Sequence, residues 1–155
     1  MSYILVTGSN GFIASFLIDK LLKKGYKVLG ISTSENKKFN HDNFKHIKAD
    51  ITQCIDIEKI FRNYDISVVI HLAAIAHLKG RKDIDWNDFY RVNTLASKTL
   101  FNLAADSNID IFYASTVDVY GNLNVTNITE DCVPKPNTDY GLSKFLAEQI
   151  LIEKT

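Results

Sequence analysis

Short apolar runs alternate with segments of helical spacing along this chain. Tyr3-Ile4-Leu5-Val6-Thr7 is a nearly continuous apolar run that stops at Gly8, as a strand buried on both faces would. Phe12, Ile13, Phe16, Leu17, Leu21 and Leu22 then recur at helical spacing. Lys23-Lys24-Gly25 closes that segment, with cations for the helix dipole and a glycine for a left-handed cap. Lys27–Ser32, Phe44–Ala49, Ile66–His71 and Ile109–Ser115 read as four further strands. Ile55, Ile57, Ile60 and Phe61 predict a short helix after Thr52. Phe89, Val92, Leu95, Ala96, Leu100, Leu103 and Ala104 predict one long helix. A last helix is expected from about Asp139, after a loop holding Pro134 and Pro136. Strand–helix–strand passes close right-handed over a parallel sheet. The chain is therefore expected to be α/β: a doubly wound parallel sheet, strand order 3-2-1-4-5, between two helix layers.

Composition excludes several classes. Lys+Arg and Asp+Glu are 18 each in 155 residues, so the basic excess of a nucleic-acid binder is missing. The longest early apolar run, Tyr3 to Val6, is too short for a signal-peptide core or a membrane span. Cys54 and Cys132 show no CxxC or His spacing and read as reduced thiols of a cytoplasmic protein. His41, His46 and His77 have no metal-ligand spacing, and no metal is expected. His71 is expected to pack at a strand end. Trp86, Phe89 and Tyr90 read as packing at a helix start, and the charged segment 79–85 as a solvated loop.

Gly8-Ser9-Asn10-Gly11-Phe12-Ile13-Ala14 lies between the first strand and the first helix. A pyrophosphate needs close backbone approach and free N–H groups at a helix N-terminus. Gly8 allows the tight turn, Gly11 has no Cβ to block a phosphate, and Ala14 lets the helix pack close to the sheet. The spacing is G-x-x-G-x-x-A rather than the ordinary G-x-G-x-x-G.

Further motifs follow in order. They are Asp50-Ile51 after the third strand, His71-Leu72-Ala73-Ala74 after the fourth, and Asn93-Thr94-Leu95-Ala96-Ser97 in the long helix. Then come Ala114-Ser115-Thr116-Val117-Asp118-Val119-Tyr120-Gly121 and Tyr140-Gly141-Leu142-Ser143-Lys144. With the glycine loop, this series resembles the extended short-chain dehydrogenase/reductases, the NAD(P)-dependent nucleotide-sugar epimerases and dehydratases. The resemblance runs from residue 4 to about 150 and implies a Rossmann-like domain. It implies cofactor contacts from Gly8, Asn10, Gly11, Phe12, Ile13, Ser32, Thr33, Asp50, Ile51, Leu72, Ala73, Ala74, Asn93 and Ser115. The Asp50 side chain would meet the adenine amino group. Tyr140 would be the acid/base, Lys144 its electrostatic partner and a ligand of the nicotinamide ribose, and Thr116, expected to end the fifth strand, would orient the reacting oxygen. Tyr140 and Lys144 are four apart and so share a helix face. A free phenol titrates near about 10, and a nearby ammonium, together with the positive charge of an oxidised nicotinamide, favours its ionised form.

The reaction implied is hydride transfer between a sugar carbon and the nicotinamide, by an epimerase or a reductase. Asp118 keeps 4,6-dehydration open, although Val117 stands where many dehydratases carry a second acid. A cofactor-binding regulatory domain without turnover is a further alternative. The second strand ends at Ser32, not at the acid that usually takes a ribose 2′-hydroxyl. Ser32, Thr33 and Ser34 could bond a 2′-phosphate and Lys37 or Lys38 could neutralise it, so NADP is favoured over NAD, with Glu35 the opposing residue. The resemblance also implies a nucleotide-sugar substrate, and a homodimer through the long helix and the Tyr/Lys helix. Members run to roughly twice this length by family analogy. The chain is therefore expected to be a truncated portion that lacks the later strands and the C-terminal substrate lobe.

Overall fold

The computed structural model describes residues 2–36, 38–76, 84–122 and 127–154. Lys37, His77 and most of the charged segment 79–85 lie outside the described residues. Five parallel strands form one sheet: β1 (Tyr3–Thr7), β2 (Lys27–Ser32), β3 (Phe44–Lys48), β4 (Ile66–His71) and β5 (Asp110–Tyr113). Their order is β3-β2-β1-β4-β5, as the alternation requires. The helices are α1 (Phe12–Lys23), α2 (Cys54–Asn63), α3 (Trp86–Phe89), α4 (Ala96–Asp106) and α5 (Asp139–Ile152).

The central strands are buried on both faces, so their runs are apolar without alternation. Leu5, Leu29, Ile31 and Val69 pack with Ile57 and Ile60 of α2 and with Ala96, Leu100 and Ala104 of α4. Val6 and Val28 pack on the opposite face with Ala14, Ile18 and Leu22 of α1. Ala14, at 1% exposure, is the close helix–sheet contact expected of it.

Two elements differ most from their sequence expectation, while β3 ends at Lys48, one residue before the expected Ala49. β5 stops at Tyr113, two residues short of Ser115, because its partner β4 ends at His71, the residue paired with Tyr113. One more bond, from Ala114 N–H to the His71 carbonyl at 3.1 Å, carries the chain off the sheet. Thr116 therefore does not end the strand. It caps a short 3₁₀ turn, Val117–Tyr120, and its Oγ1 accepts from Asp118 N–H at 3.2 Å. The expected long helix is interrupted at Tyr90–Leu95 by a π-helical turn joining α3 to α4. Such a turn redirects side chains and is common at functional sites.

Candidate functional site

Every described strand points its carboxyl end to the same edge, and the predicted site residues gather there. Gly8 has φ +66°, and a Cβ on it would lie 2.9 Å from the backbone of Ala73. The ribbon after β4 thus runs directly against the glycine loop, which only glycine permits here. Gly11 N–H donates to the Gly8 carbonyl at 2.8 Å and closes the turn. Gly11 then starts α1 with no side-chain cap and no acid in the first turn. That helix end is left open to an anion.

Two cavities flank the loop. One, of about 310 Å³, is lined by Gly8, Ser32, Thr33, Asp50, Ile51, Ala73 and Ala74 among others. Seven of the expected cofactor residues therefore share one wall. The other, of about 210 Å³, is lined by Gly8, Gly11, Phe12, Ile13, Ala14, Leu72 and Ala114. It leads from the glycine loop toward β5. One Asp50 carboxylate oxygen accepts from the N–H and hydroxyl of Thr52, both at 2.9 Å, which fixes the side chain at the first cavity.

Asn10 turns the other way. Its Nδ2 donates to the Ser34 carbonyl, the Ser34 hydroxyl and the Glu35 carbonyl at 2.8–3.0 Å. Lys38 Nζ reaches the Asn10 carbonyl at 3.2 Å. Ser32 Oγ donates to the Ser34 carbonyl at 2.9 Å and meets His46 Nε2 at 3.0 Å. Glu35 is drawn to Lys48, 3.6 Å away.

At the β5 end, Thr138 caps α5 by accepting from Gly141 N–H at 2.9 Å. A Cβ on Gly141 would fall 2.6 Å from the Asp118 carbonyl, so this glycine seats α5 on the 3₁₀ turn. Thr116 and Tyr140 are thereby brought together. Lys144 is only 2% exposed. Its Nζ donates to the Ala114 carbonyl at 2.6 Å and stands 4.0 Å over the Tyr113 ring. Burial holds its pKa down at about 8, against a raising influence from Glu148. The ring of Phe89, fully buried, lies 6.2 Å from that of Tyr140, which accounts for Phe89 at the helix start. Trp86 stacks on Tyr90 at 5.5 Å.

The buried Lys144 ammonium alone does not shift Tyr140 toward phenolate. The Tyr140 pKa is raised: burial is the largest cause and the Asp118 charge adds to it, while a hydrogen bond with Thr116 pulls the other way.

Asn93 lies behind the wall rather than on it. It is 1% exposed, with Oδ1 accepting from Ile75 N–H and Nδ2 donating to the Ile75 carbonyl and to Ser143 Oγ, at 2.9–3.0 Å. Ser115 is exposed beside Thr116. Sequence reasoning passed over Thr7, Thr94, Ser97, Tyr113 and Ser143 as separate residues, yet they brace this edge. Thr94 Oγ1 donates to the Ser143 carbonyl at 2.8 Å, and Ser143 Oγ to the Tyr140 carbonyl at 2.8 Å. Thr7 and Ser143 sit inside motifs already quoted, but no sequence pattern marks Tyr113. Among the described residues no cluster of His, Cys, Asp or Glu could hold a metal, and no helix is long and apolar enough to cross a membrane. The free cysteines are Cys54, exposed, and Cys132, partly buried.

Comparison with known proteins agrees with the fold. The UDP-glucose 4-epimerase of Haemophilus influenzae is 30% identical over 159 residues, covering 96% of this chain and 47% of its own length. The crystal structure of the Thermotoga maritima UDP-glucose 4-epimerase with UDP-glucose superposes with a TM-score of 0.86 at 29% identity, over 98% of this chain and 50% of that one. The Bordetella bronchiseptica enzyme WbmG in complex with NAD gives a TM-score of 0.88 at 25% identity, over 98% of this chain and 49% of that one. The chain spans between about a quarter and a half of the length of the curated relatives it matches. The model of the NAD dependent epimerase/dehydratase family matches residues 4–154, and the chain belongs to that family.

Proposed function

We propose that this chain is the cofactor-binding and proton-transferring part of an NAD(P)-dependent nucleotide-sugar epimerase or reductase. The observation that carries this reading is the convergence of Thr116, Tyr140 and buried Lys144 beside Ala114, a residue that lines the cavity at the glycine loop. The glycine cradle and the uncapped start of α1 fit a pyrophosphate. Asp50 and the small residues Ala73 and Ala74 fit an adenosine beside it. A bound oxidised nicotinamide supplies a hydride acceptor and a positive charge.

The chain's own residues then manage the proton. With its pKa raised, Tyr140 stands as a neutral phenol and is set to donate to a sugar oxygen as that carbon is reduced. In the oxidative direction it takes the proton from a sugar hydroxyl, with Thr116 holding the phenol oxygen and Lys144 the nearest buried cation. Its raised pKa means that base action needs added positive charge at the site. The test is turnover of a panel of nucleotide sugars, UDP-glucose first, by the protein and by Tyr140→Phe. Loss of most turnover with cofactor affinity kept supports the reading; near-normal turnover overturns it.

The cofactor favoured is NADP. The one acid near the end of β2, Glu35, faces Lys48, while Lys38 and the Ser34 hydroxyl, held by contacts to Asn10, could turn to a 2′-phosphate. A tenfold preference for NAD(H) in titration would reverse this. Asp118, whose N–H is held by the Thr116 cap, keeps 4,6-dehydration as a second reading, which Asp118→Asn should then abolish. A homodimer through α4 and α5 is part of the same proposal, and sedimentation at micromolar concentration tests it.

A further inference from the structure

Thr7 Oγ1 lies at the centre of a buried group of donors and acceptors. The N–H groups of Leu72 and Ala73 reach it at 3.1 and 3.0 Å, and His71 Nδ1 at 2.6 Å. Thr7 is fully buried, so no solvent shares these bonds. A hydroxyl oxygen has two acceptor sites and one proton. The two backbone donors occupy both acceptor sites, which leaves the Thr7 proton to go to Nδ1. His71 Nδ1 is therefore an acceptor, and the ring carries its proton on Nε2. His71 Nε2 meets Ser97 Oγ at 2.8 Å, and Ser97 Oγ donates to the Asn93 carbonyl at 2.7 Å. Each hydroxyl in the chain has one direction open to it.

The surroundings agree. His71 is wholly buried, and burial, with the Lys144 charge second, holds its pKa at about 3. Its ring stacks on Tyr113 at 5.4 Å, and Lys144 Nζ lies over that same Tyr113 ring. A second cation here would be placed close to the first.

We propose that His71 is a positioning residue, an Nε2–H imidazole whose one-way hydrogen-bond chain ties the Leu72–Ala73 ribbon under the glycine loop to the π-helical turn that braces the Tyr140 helix. The continuation past Ser97 is on the same turn: Asn93 donates to Ser143, and Ser143 to the Tyr140 carbonyl. The cofactor wall and the acid/base helix are thus set by one buried network. The proposal deepens the function proposed above and rests on it for the identity of the ligand, but the tautomer stands independently of any ligand.

The experiment has two parts. Long-range ¹H–¹⁵N correlation on the unliganded protein reads the His71 tautomer at neutral pH; Nε2–H is expected, and Nδ1–H or a charged ring overturns the proposal. NADPH titration of Thr7→Val and Thr7→Ser then reads the link to the wall. The valine, which leaves the Leu72 and Ala73 N–H groups and His71 Nδ1 unpaired, should bind about tenfold or more weakly, and serine should restore binding to within about twofold. Equal affinity of Thr7→Val and the parent protein overturns the link. If Thr7→Val does not fold, Ser97→Ala replaces it: an altered ¹⁵N shift at His71 and a shifted Tyr140 amide are expected, and an unmoved Tyr140 amide overturns the coupling. Failure of the parent protein to bind NADPH or NADH counts against the proposed function and leaves the tautomer test intact.

Discussion

At the β2–β3 end of the sheet's carboxyl edge, the charged groups face water and are held by single contacts. Lys48 and Glu35 sit 3.6 Å apart with well over half of each side chain exposed, and Lys38 meets only a backbone carbonyl. At the β4–β5 end the groups are buried: His71 and Ser97 at 0% exposure, Asn93 at 1%, Lys144 at 2%. Under the proposed function the two ends serve different needs. Ribose and phosphate recognition can be made from exposed groups, because the ligand supplies the charge. Placing a phenol for proton transfer demands fixed neighbours, and only burial with saturated hydrogen bonds fixes them.

The contrast breaks first at Tyr140. Tyr140→Phe should lower turnover by roughly 10²–10⁴-fold with cofactor affinity within about twofold, measured by coupled assay and titration. Gly8→Ala comes next: its positive φ and the 2.9 Å approach of Ala73 should cost about 2–4 kcal/mol in urea unfolding and abolish dinucleotide binding. Lys144 then separates the two ends by pH. Its folded pKa, about 8, is below that of a free lysine, so the unfolded chain binds the extra proton between about pH 8 and 10. Stability attributable to Lys144 therefore rises with pH across that window. Relative to Lys144→Met, the parent protein should gain on the order of 2 kcal/mol from pH 8 to 10, read from urea midpoints. Lys38→Met should weaken NADPH by about fivefold and leave NADH unchanged, since one exposed cation is worth about 1 kcal/mol. The smallest effect belongs to Lys48→Met, below about 0.5 kcal/mol in stability.

Much of the frame could be read in advance, for physical reasons visible element by element. β1, β2 and β4 begin and end where the apolar runs do, because these central strands are buried on both faces and flanked by turn residues. β5 was legible only in part, since its end is set by the length of β4 rather than by its own residues. The π-helical turn at Tyr90–Leu95 left no trace in the apolar spacing; it is held by Asn93 and Thr94 bonding residues 18 and 49 positions away. The glycine loop was legible because its chemistry is backbone geometry. The direction of the Tyr140 shift was not, because it depends on burial and on the Asp118 charge that the fold brings near.

The central claim is that a dinucleotide lies along this edge from Asp50 to Ala114. Amide ¹H–¹⁵N spectra recorded during NADPH titration test it most directly. The account predicts saturable shifts concentrated at Gly11–Ala14, Asp50–Ile51 and Leu72–Ala74, with smaller ones at Thr116. No saturable shift with NADPH or NADH, or shifts confined to α2 and the β3 edge, would contradict it.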